Sequence, residues 1–125
     1  MKYRQFGKLD WKVSVLGSGA MRLPIIGSDK SKINEAEAIK MIRYAIDHGV
    51  NYVDSAYTYQ EGNSEVLVGK ALKDGYRQRV KVATKIPTRL VKSQSDMTKF
   101  LEEQLMRLQT DQIDFYLLNG LKKDR

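Results

Sequence analysis

The clearest pattern along the chain is a short apolar run that ends in one polar residue, and it occurs three times. The three runs are Val50–Asp54, Val80–Lys85 and Ile113–Asn119, all rich in Val, Ile, Tyr or Phe. Runs of this length and composition are typical of buried β-strands. Because helix-like segments separate them, the pattern predicts alternating strands and helices with a parallel sheet.

The first helix is predicted between Asn34 and His48. Asn34 is a suitable N-cap, and Glu37 three residues later completes a capping-box pattern. Gly49 after His48 supplies a left-handed residue that ends the helix. The apolar residues inside it recur at helical spacing and predict a buried face: Ala38, Ile39, Ile42, Ala45 and Ile46.

Two further helices are expected. Glu65–Asp74 follows Ser64, a predicted N-cap, and precedes Gly75. Residues 95–108 carry an apolar face formed by Phe100, Leu101, Leu105 and Leu108. Near the amino terminus, residues 3–6 and 12–16 flank the turn at Gly7–Trp11 and predict a hairpin that leads into a first core strand. Residues 20–32 have the composition of a loop.

The predicted strands end at Gly19, Asp54, Lys85 and Asn119, at intervals of 31 to 35 residues. This spacing suits a (β/α)8 TIM barrel, and 125 residues is half of the roughly 250 typical of one. We therefore predict a single α/β domain over residues 1–125, a hairpin followed by four strands and three helices. Trp11 is expected to pack against the closed bottom of the barrel. Since the sheet would have open edges, we expect either a fragment or a chain that completes itself with another copy.

Composition narrows the function classes. There is no cysteine, which excludes disulfides, thiolate metal sites, iron–sulfur ligands and cysteine nucleophiles. The only histidine, His48, is expected to interact with a helix terminus, so no metal site is predicted. No apolar run approaches the roughly 20 residues of a membrane span, and no signal peptide is recognisable, so a cytoplasmic protein is expected. The net charge of +7 is scattered and is interpreted as solvated surface charge, with nucleic-acid binding as a minor alternative.

The residues at the strand ends are candidates for catalysis, because parallel strands send their carboxyl ends to one face. Asp54, Tyr59, Lys85 and Asn119 would meet there. A phenol is a poor acid at neutral pH, but an ammonium group beside it stabilises the phenolate, and a carboxylate keeps that ammonium charged and oriented. Tyr59 could then donate a proton while hydride reaches a carbonyl carbon. Tyr57 competes with Tyr59 for this role, and Asn119 could polarise the carbonyl oxygen without titrating.

The glycine-rich segment Gly17–Arg22 is not a Rossmann fingerprint. Arg22 occupies the position of the last glycine, a loop follows it, and the next candidate acidic residue, Asp54, lies too far along the chain. The alternative interpretation, that these glycines let the backbone at the end of a strand approach a ligand, is retained.

Several linked motifs resemble those of the aldo-keto reductase family. The resemblance is carried by Val53–Tyr59, Gly62–Glu65, Val68–Leu72, Val82–Lys85, Tyr3–Gly7 and Gly19–Pro24. It is strongest to the bacterial and archaeal branch whose longer members add a cysteine-rich iron–sulfur segment, and it covers the first half of the family's barrel.

This resemblance implies a fold, a reaction and a cofactor. Asp54, Tyr59 and Lys85 would take the family's catalytic positions, and Asn119 stands where the family normally has histidine. NADP(H) is the implied cofactor, with Gly19, Ala20, Met21, Arg22 and Asp54 near its nicotinamide half. The family's main NADP-clamping elements belong to strands seven and eight, so this chain is not expected to bind NADPH independently.

Two functional hypotheses follow. The first is an NADP(H)-dependent oxidoreductase that reduces a small aldehyde or ketone, with Tyr59 as proton donor and with a need for the other half of the barrel. The alternative is a non-catalytic half-barrel that self-associates through its open edges, for example as a twofold homodimer. Neither hypothesis involves a membrane or nucleic acid.

Overall fold

The computed structural model describes residues 1–124 and contains two sheets. A hairpin of β1 (Tyr3–Gln5) and β2 (Lys12–Ser14) is antiparallel. The second sheet is parallel and four-stranded, with its strands in chain order: β3 (Ser18–Gly19), β4 (Tyr52–Asp54), β5 (Lys81–Pro87) and β6 (Phe115–Asn119). The predicted hairpin and four parallel strands are confirmed.

Three helices connect these parallel strands. They are α1 (Glu35–Asp47), α2 (Asn63–Ala71) and α3 (Gln94–Leu108), and α2 packs against both α1 and α3. Short 3-10 turns occupy Tyr59–Gly62, Arg77–Arg79 and Thr88–Leu90. A sequential parallel strand order with one helix per crossover is that of half a (β/α)8 barrel, as predicted.

Helix α1 forms where its sequence predicts, but only half of the predicted capping box is present, because the Asn34 backbone N–H donates to the Pro24 carbonyl at 2.8 Å instead of to Glu37. The Asn34 side chain accepts a hydrogen bond from the Glu37 backbone N–H at 3.3 Å, which satisfies one of the free donors at the helix start. Gly49 follows the helix at φ +103°, a conformation that favours glycine. Ala38, Ile42 and Ile46 are buried and join the hydrophobic core with residues of α2 and the sheet.

The start and end of α2 differ from the prediction. The helix begins at Asn63 after Gly62, and Ser64 lies inside it instead of capping it. The Ser64 hydroxyl is buried and donates to the Ala20 carbonyl at 2.6 Å, because the helix start packs against the loop after β3. The helix ends at Ala71, three residues before the predicted Asp74.

The first parallel strand is also shorter than expected. The run predicted over residues 12–16 pairs only as far as Ser14, and Val15 and Leu16 have 55% and 61% of their surfaces exposed. The chain bends at these residues between the hairpin and the sheet, so only Ser18 and Gly19 pair with β4. Strand β5, by contrast, extends past Lys85 to Pro87.

An aromatic cluster closes the amino-terminal ends of the strands. The Phe115 ring lies 4.8 Å from Phe6, 5.7 Å from Tyr52 and 6.0 Å from Trp11, measured between ring centroids. Tyr52 and Phe115 are the first residues of β4 and β6. Trp11 therefore packs at the bottom of the sheet, as expected.

Asp114 joins β5 and β6 at the same end. Its carboxylate accepts hydrogen bonds from the Val82 backbone N–H at 2.8 Å and from the Arg77 guanidinium at 2.9 Å. Only 6% of the Asp114 side chain is exposed. Burial tends to raise the pKa of Asp114, but the Val82 N–H and the Arg77 charge outweigh it and hold that pKa below its usual range.

Helices α2 and α3 approach closely at Gly69. A Cβ atom added there would lie 2.7 Å from the Arg107 carbonyl oxygen and 2.8 Å from the Leu108 carbonyl carbon and oxygen. These neighbours are backbone atoms that no side-chain rotation can move. Glycine at this position therefore sets the spacing between the two helices.

Candidate active site

The structure brings Asp54, Tyr59 and Lys85 together at the carboxyl ends of the strands. The Lys85 Nζ atom lies 2.8 Å from both carboxylate oxygens of Asp54 and 3.2 Å from the Tyr59 hydroxyl. It also donates to the Ser55 carbonyl oxygen at 2.8 Å. With 15% of its side chain exposed, Lys85 is largely screened from water, so the ion pair with Asp54 matters more than a surface pair would.

Strand register explains this convergence. Asp54 is the last residue of β4 and lies beside Ala83 of β5, so Lys85 sits one side-chain repeat further toward the carboxyl end on the same face. The chain then turns directly after β4, and the 3-10 turn that begins at Tyr59 returns its phenol to Lys85.

Tyr57, the competing candidate, faces a different environment. Its hydroxyl donates to Glu103 of α3 at 2.8 Å, and the Arg107 guanidinium lies 4.0 Å from its ring centroid. Burial and the hydrogen bond to Glu103 raise the pKa of Tyr57 above its usual range. The contact with Lys85 belongs to Tyr59, while Tyr57 holds the loop to α3.

Asn119 lies at the same end of the sheet but pairs with Pro87, two residues beyond Lys85. Its backbone carbonyl accepts the Thr88 hydroxyl, and within residues 1–124 no hydrogen bond links its side chain to Asp54, Tyr59 or Lys85. Instead Asn119 lines a cavity of about 240 Å³ together with Thr58 and Thr88. Its predicted role toward a carbonyl oxygen stays a prediction.

The segment predicted to approach a cofactor follows β3. Gly19 pairs with Asp54, and the Ala20 backbone N–H donates to the Asp54 carbonyl at 2.8 Å. The Ala20 side chain is buried, whereas Met21 and Arg22 are exposed. A Cβ atom at Gly19 would meet no atom within 4 Å, so the backbone there faces open space. The cofactor roles of these residues stay predictions.

Gln60, directly after Tyr59, connects the Tyr59 turn to the loop that follows β3. Its side-chain oxygen accepts the Leu23 N–H at 3.0 Å, and its amide donates to the carbonyls of Leu23 and Lys30 at 3.3 and 3.0 Å. Gln60 and Glu61 both adopt positive φ angles, 50° and 57°. Such angles are uncommon outside glycine, so the side-chain bonds compensate a strained turn.

Sequence reasoning missed a buried polar cluster behind the site. Glu65 of α2 is fully buried, and its carboxylate accepts hydrogen bonds from Thr84 at 2.7 Å, Gln104 at 2.8 Å and Arg107 at 3.1 Å. Burial raises the pKa of Glu65, although these three donors oppose the shift. Gln104 was detectable, since it stands four residues from both Phe100 and Leu108 on the predicted apolar face.

The described residues contain no other candidate centre. No three His, Cys, Asp or Glu side chains in 1–124 converge in a way that could hold a metal ion. His48 caps the end of α1, where its Nδ1 lies 2.8 Å from the Tyr44 carbonyl. None of the helices in this range is both long and apolar enough to cross a bilayer.

Comparison with known proteins adds independent information. Residues 15–124 match the sequence model of the aldo/keto reductase family. An uncharacterized oxidoreductase of Bacillus subtilis, YqkF, is 33% identical over 96% of this chain. The holo form of an aldo-keto reductase from Bacillus halodurans superposes on 99% of it with a TM-score of 0.82 and 36% identity, and this chain covers 42% of that structure.

An aldo-keto reductase from Klebsiella pneumoniae, solved in complex with NADPH, is 29% identical to this chain and superposes on it with a TM-score of 0.74. The superposition covers 90% of this chain and 37% of the Klebsiella pneumoniae chain. The chain also covers only 39% of the Bacillus subtilis oxidoreductase. It therefore spans about two fifths of the length of these relatives.

Proposed function

The chain belongs to the aldo/keto reductase family, and from this premise we propose that it forms the proton-donating part of an NADP(H)-dependent carbonyl reductase. The observation that carries the proposal is the contact of one ammonium group with both a phenol and a carboxylate, at 3.2 and 2.8 Å. The substrate would be a small aldehyde or ketone.

In this reaction Tyr59 donates its phenolic proton to the carbonyl oxygen of the substrate as hydride reaches the carbonyl carbon. The positive charge of Lys85 offsets the negative charge that remains on the Tyr59 oxygen, and Asp54 holds the Lys85 side chain in place beside Tyr59. Asn119 would orient the carbonyl oxygen with its carboxamide. Because an amide does not titrate near neutral pH, Asn119 adds no second proton donor.

NADP(H), when bound, supplies the hydride. Of the five residues expected near its nicotinamide half, Gly19, Met21, Arg22 and Asp54 would meet it with exposed atoms, whereas the buried Ala20 would support the loop, and the open space in front of Gly19 fits the approach of a flat ring. The NADPH complex of the Klebsiella pneumoniae relative supports this choice of cofactor.

The test compares Tyr59→Phe with Tyr57→Phe in a polypeptide that spans the full length of the relatives. Carbonyl-dependent oxidation of NADPH should fall by roughly 100-fold or more in Tyr59→Phe, the range expected for loss of a general acid. Tyr57→Phe should stay within about twofold, because the Tyr57 hydroxyl donates to Glu103 of α3 and not to the Asp54–Lys85 pair. Equal activity in the parent and Tyr59→Phe would remove Tyr59 from the mechanism.

Self-association of the half-barrel is a second candidate, favoured by exposed apolar side chains beside both sheet edges. Leu118 and Leu121 are 55% and 60% exposed beyond one edge, and Leu16 is 61% exposed beside the other. Light scattering should then show a dimer whose fraction rises with concentration. A folded monomer at every concentration would exclude this candidate.

A further inference from the structure

The buried Glu65 cluster contacts the backbone on both sides of the Tyr59–Lys85 contact. Gln104 of α3 makes the first connection, since its Nε2 donates to the Glu65 carboxylate at 2.8 Å and to the Lys85 carbonyl at 2.9 Å. Successive strand side chains alternate between faces, so Thr84 reaches Glu65 behind the sheet while Lys85 reaches Tyr59 in front. The cluster therefore holds the peptide that carries Lys85 from behind.

Arg107 makes the second connection. Its Nη1 donates to the Glu65 carboxylate at 3.1 Å and to the Tyr57 carbonyl at 2.9 Å. Tyr57 is two residues before Tyr59, in the short turn that places the phenol. The contacts thus form a closed circuit: Glu65, Arg107, the Tyr57–Tyr59 turn, Lys85, Gln104 and back to Glu65.

Every buried side-chain nitrogen and oxygen atom of these residues has a hydrogen-bond partner, so moving any one side chain breaks a bond of its neighbour. Tyr116 of β6 donates to the Gln104 oxygen, so the Gln104 amide presents its nitrogen to Glu65, to the Thr84 hydroxyl at 3.4 Å and to the Lys85 carbonyl. Burial and the Glu65 charge raise the pKa of Tyr116 to about 12, which keeps it a donor. Leaving one buried donor or acceptor unpaired destabilises the folded state, and more so where the group carries a charge.

We propose that Glu65, acting through Gln104 and Arg107, is a positioning residue that sets the distance between the Lys85 ammonium and the Tyr59 hydroxyl. The effect of Glu65 on the distance between Lys85 and Tyr59 can be measured in this chain without any catalysis. The interpretation that this distance serves to hold a proton donor in place rests on the proposed function.

The test is Gln104→Met, which keeps the side-chain length but removes the amide. The chain carries 13C-labelled tyrosine, and the Tyr59 signal is assigned by its loss in Tyr59→Phe. Lys85→Met defines the chemical shift of Tyr59 when the ammonium is absent. We expect Gln104→Met to move the Tyr59 signal by at least half of that change, because the Lys85 peptide loses its anchor. Gln94→Met, an exposed position in the same helix, should leave the signal in place.

A second comparison separates positioning from general loss of stability. Ile42→Ala removes buried volume in α1, away from the circuit, and destabilises the hydrophobic core. It should lower the melting temperature without moving the Tyr59 signal. If Gln104→Met does not fold, Glu65→Gln, which preserves shape, decides by the same criterion. An unmoved Tyr59 signal in the folded variant would overturn the proposal.

Kinetics distinguish this inference from the proposed function. In a full-length polypeptide, Gln104→Met should lower kcat by about 10- to 100-fold with KM nearly unchanged, as expected for a misplaced catalytic group. If the Tyr59 signal moves but the parent reduces no carbonyl, the positioning holds and the proposed function fails. A moved signal with unchanged kcat in an active parent would overturn the catalytic purpose of the positioning.

Discussion

Replacing Gly69 by alanine should destabilise the protein although alanine is the better helix former. The substitution adds one methyl group where α2 meets the carbonyls of Arg107 and Leu108, at separations of 2.7 and 2.8 Å. Since these atoms belong to the backbone, the two helices must move apart. Gln104 and Arg107 move with α3, so the change also loosens the buried polar cluster.

Two opposing effects determine how much Gly69→Ala changes the free energy of unfolding. Glycine to alanine inside a helix gains about 1 kcal/mol in helix propensity. Overpacking against a rigid neighbour costs about 1–3 kcal/mol, and a clash with three backbone atoms belongs at the upper end. The net loss is therefore about 2 kcal/mol, which lowers the melting temperature by roughly 8 °C in a chain of this size.

Thermal unfolding followed by circular dichroism measures this loss. Gly17→Ala is the matched control, because its added Cβ would lie 3.6 Å from the Tyr52 ring, an ordinary contact. That variant should melt within a few degrees of the parent. A Gly69→Ala variant that melts at or above the parent temperature would refute the reasoning, since helix propensity would then outweigh the clash.

Two further predictions concern stability. Asp114→Asn should cost about 2 kcal/mol at pH 7 in urea unfolding, because it breaks charged hydrogen bonds to Val82 and Arg77. Since the pKa of Asp114 is depressed in the folded state, its contribution is present above about pH 4 and is lost as the pH falls through the folded value. A gap between parent and variant that stays constant down to pH 2 would contradict this. Asn34→Ala should lower the free energy of unfolding by about 1 kcal/mol through loss of the α1 cap, and most of this loss should be absent in Asn34→Ser, which can still cap the helix. Equal melting temperatures of Asn34→Ala and the parent would show that the cap contributes nothing.

The strand ends and α1 could be predicted because their signals are local. An apolar run ending in Asp54 or Lys85 shows both the strand and the polar residue at its end, and parallel topology brings such ends together. The start of α2 could not be assigned, since Gly62, Asn63 and Ser64 are all acceptable caps. The structure selects Gly62 because the Ser64 hydroxyl is needed by the Ala20 carbonyl.

The buried polar cluster around Glu65 could not be predicted from the sequence, for a different reason. A glutamate in a nine-residue helix is normally solvent-exposed, and nothing local shows that Arg107, 42 residues later, will reach Glu65. The difference between Tyr57 and Tyr59 likewise depends on other elements, because Glu103 of α3 accepts from the Tyr57 hydroxyl and Lys85 of β5 donates to the Tyr59 hydroxyl. Contacts between elements, rather than the pattern within one, decide these features.

The Gln60 side chain couples two segments of the chain that are distant in sequence. It holds the segment around Leu23 and Lys30 directly to the residue that follows the phenol. Because these hydrogen bonds join the two segments, a contact that orders the segment around Leu23 and Lys30 also restricts the Tyr59 turn. The converse holds equally, since coupling between two sites is reciprocal. A rearrangement of the segment around Leu23 and Lys30 would therefore displace the Tyr59 turn as well, because the side chain of one residue in that turn is hydrogen-bonded to both ends of the segment.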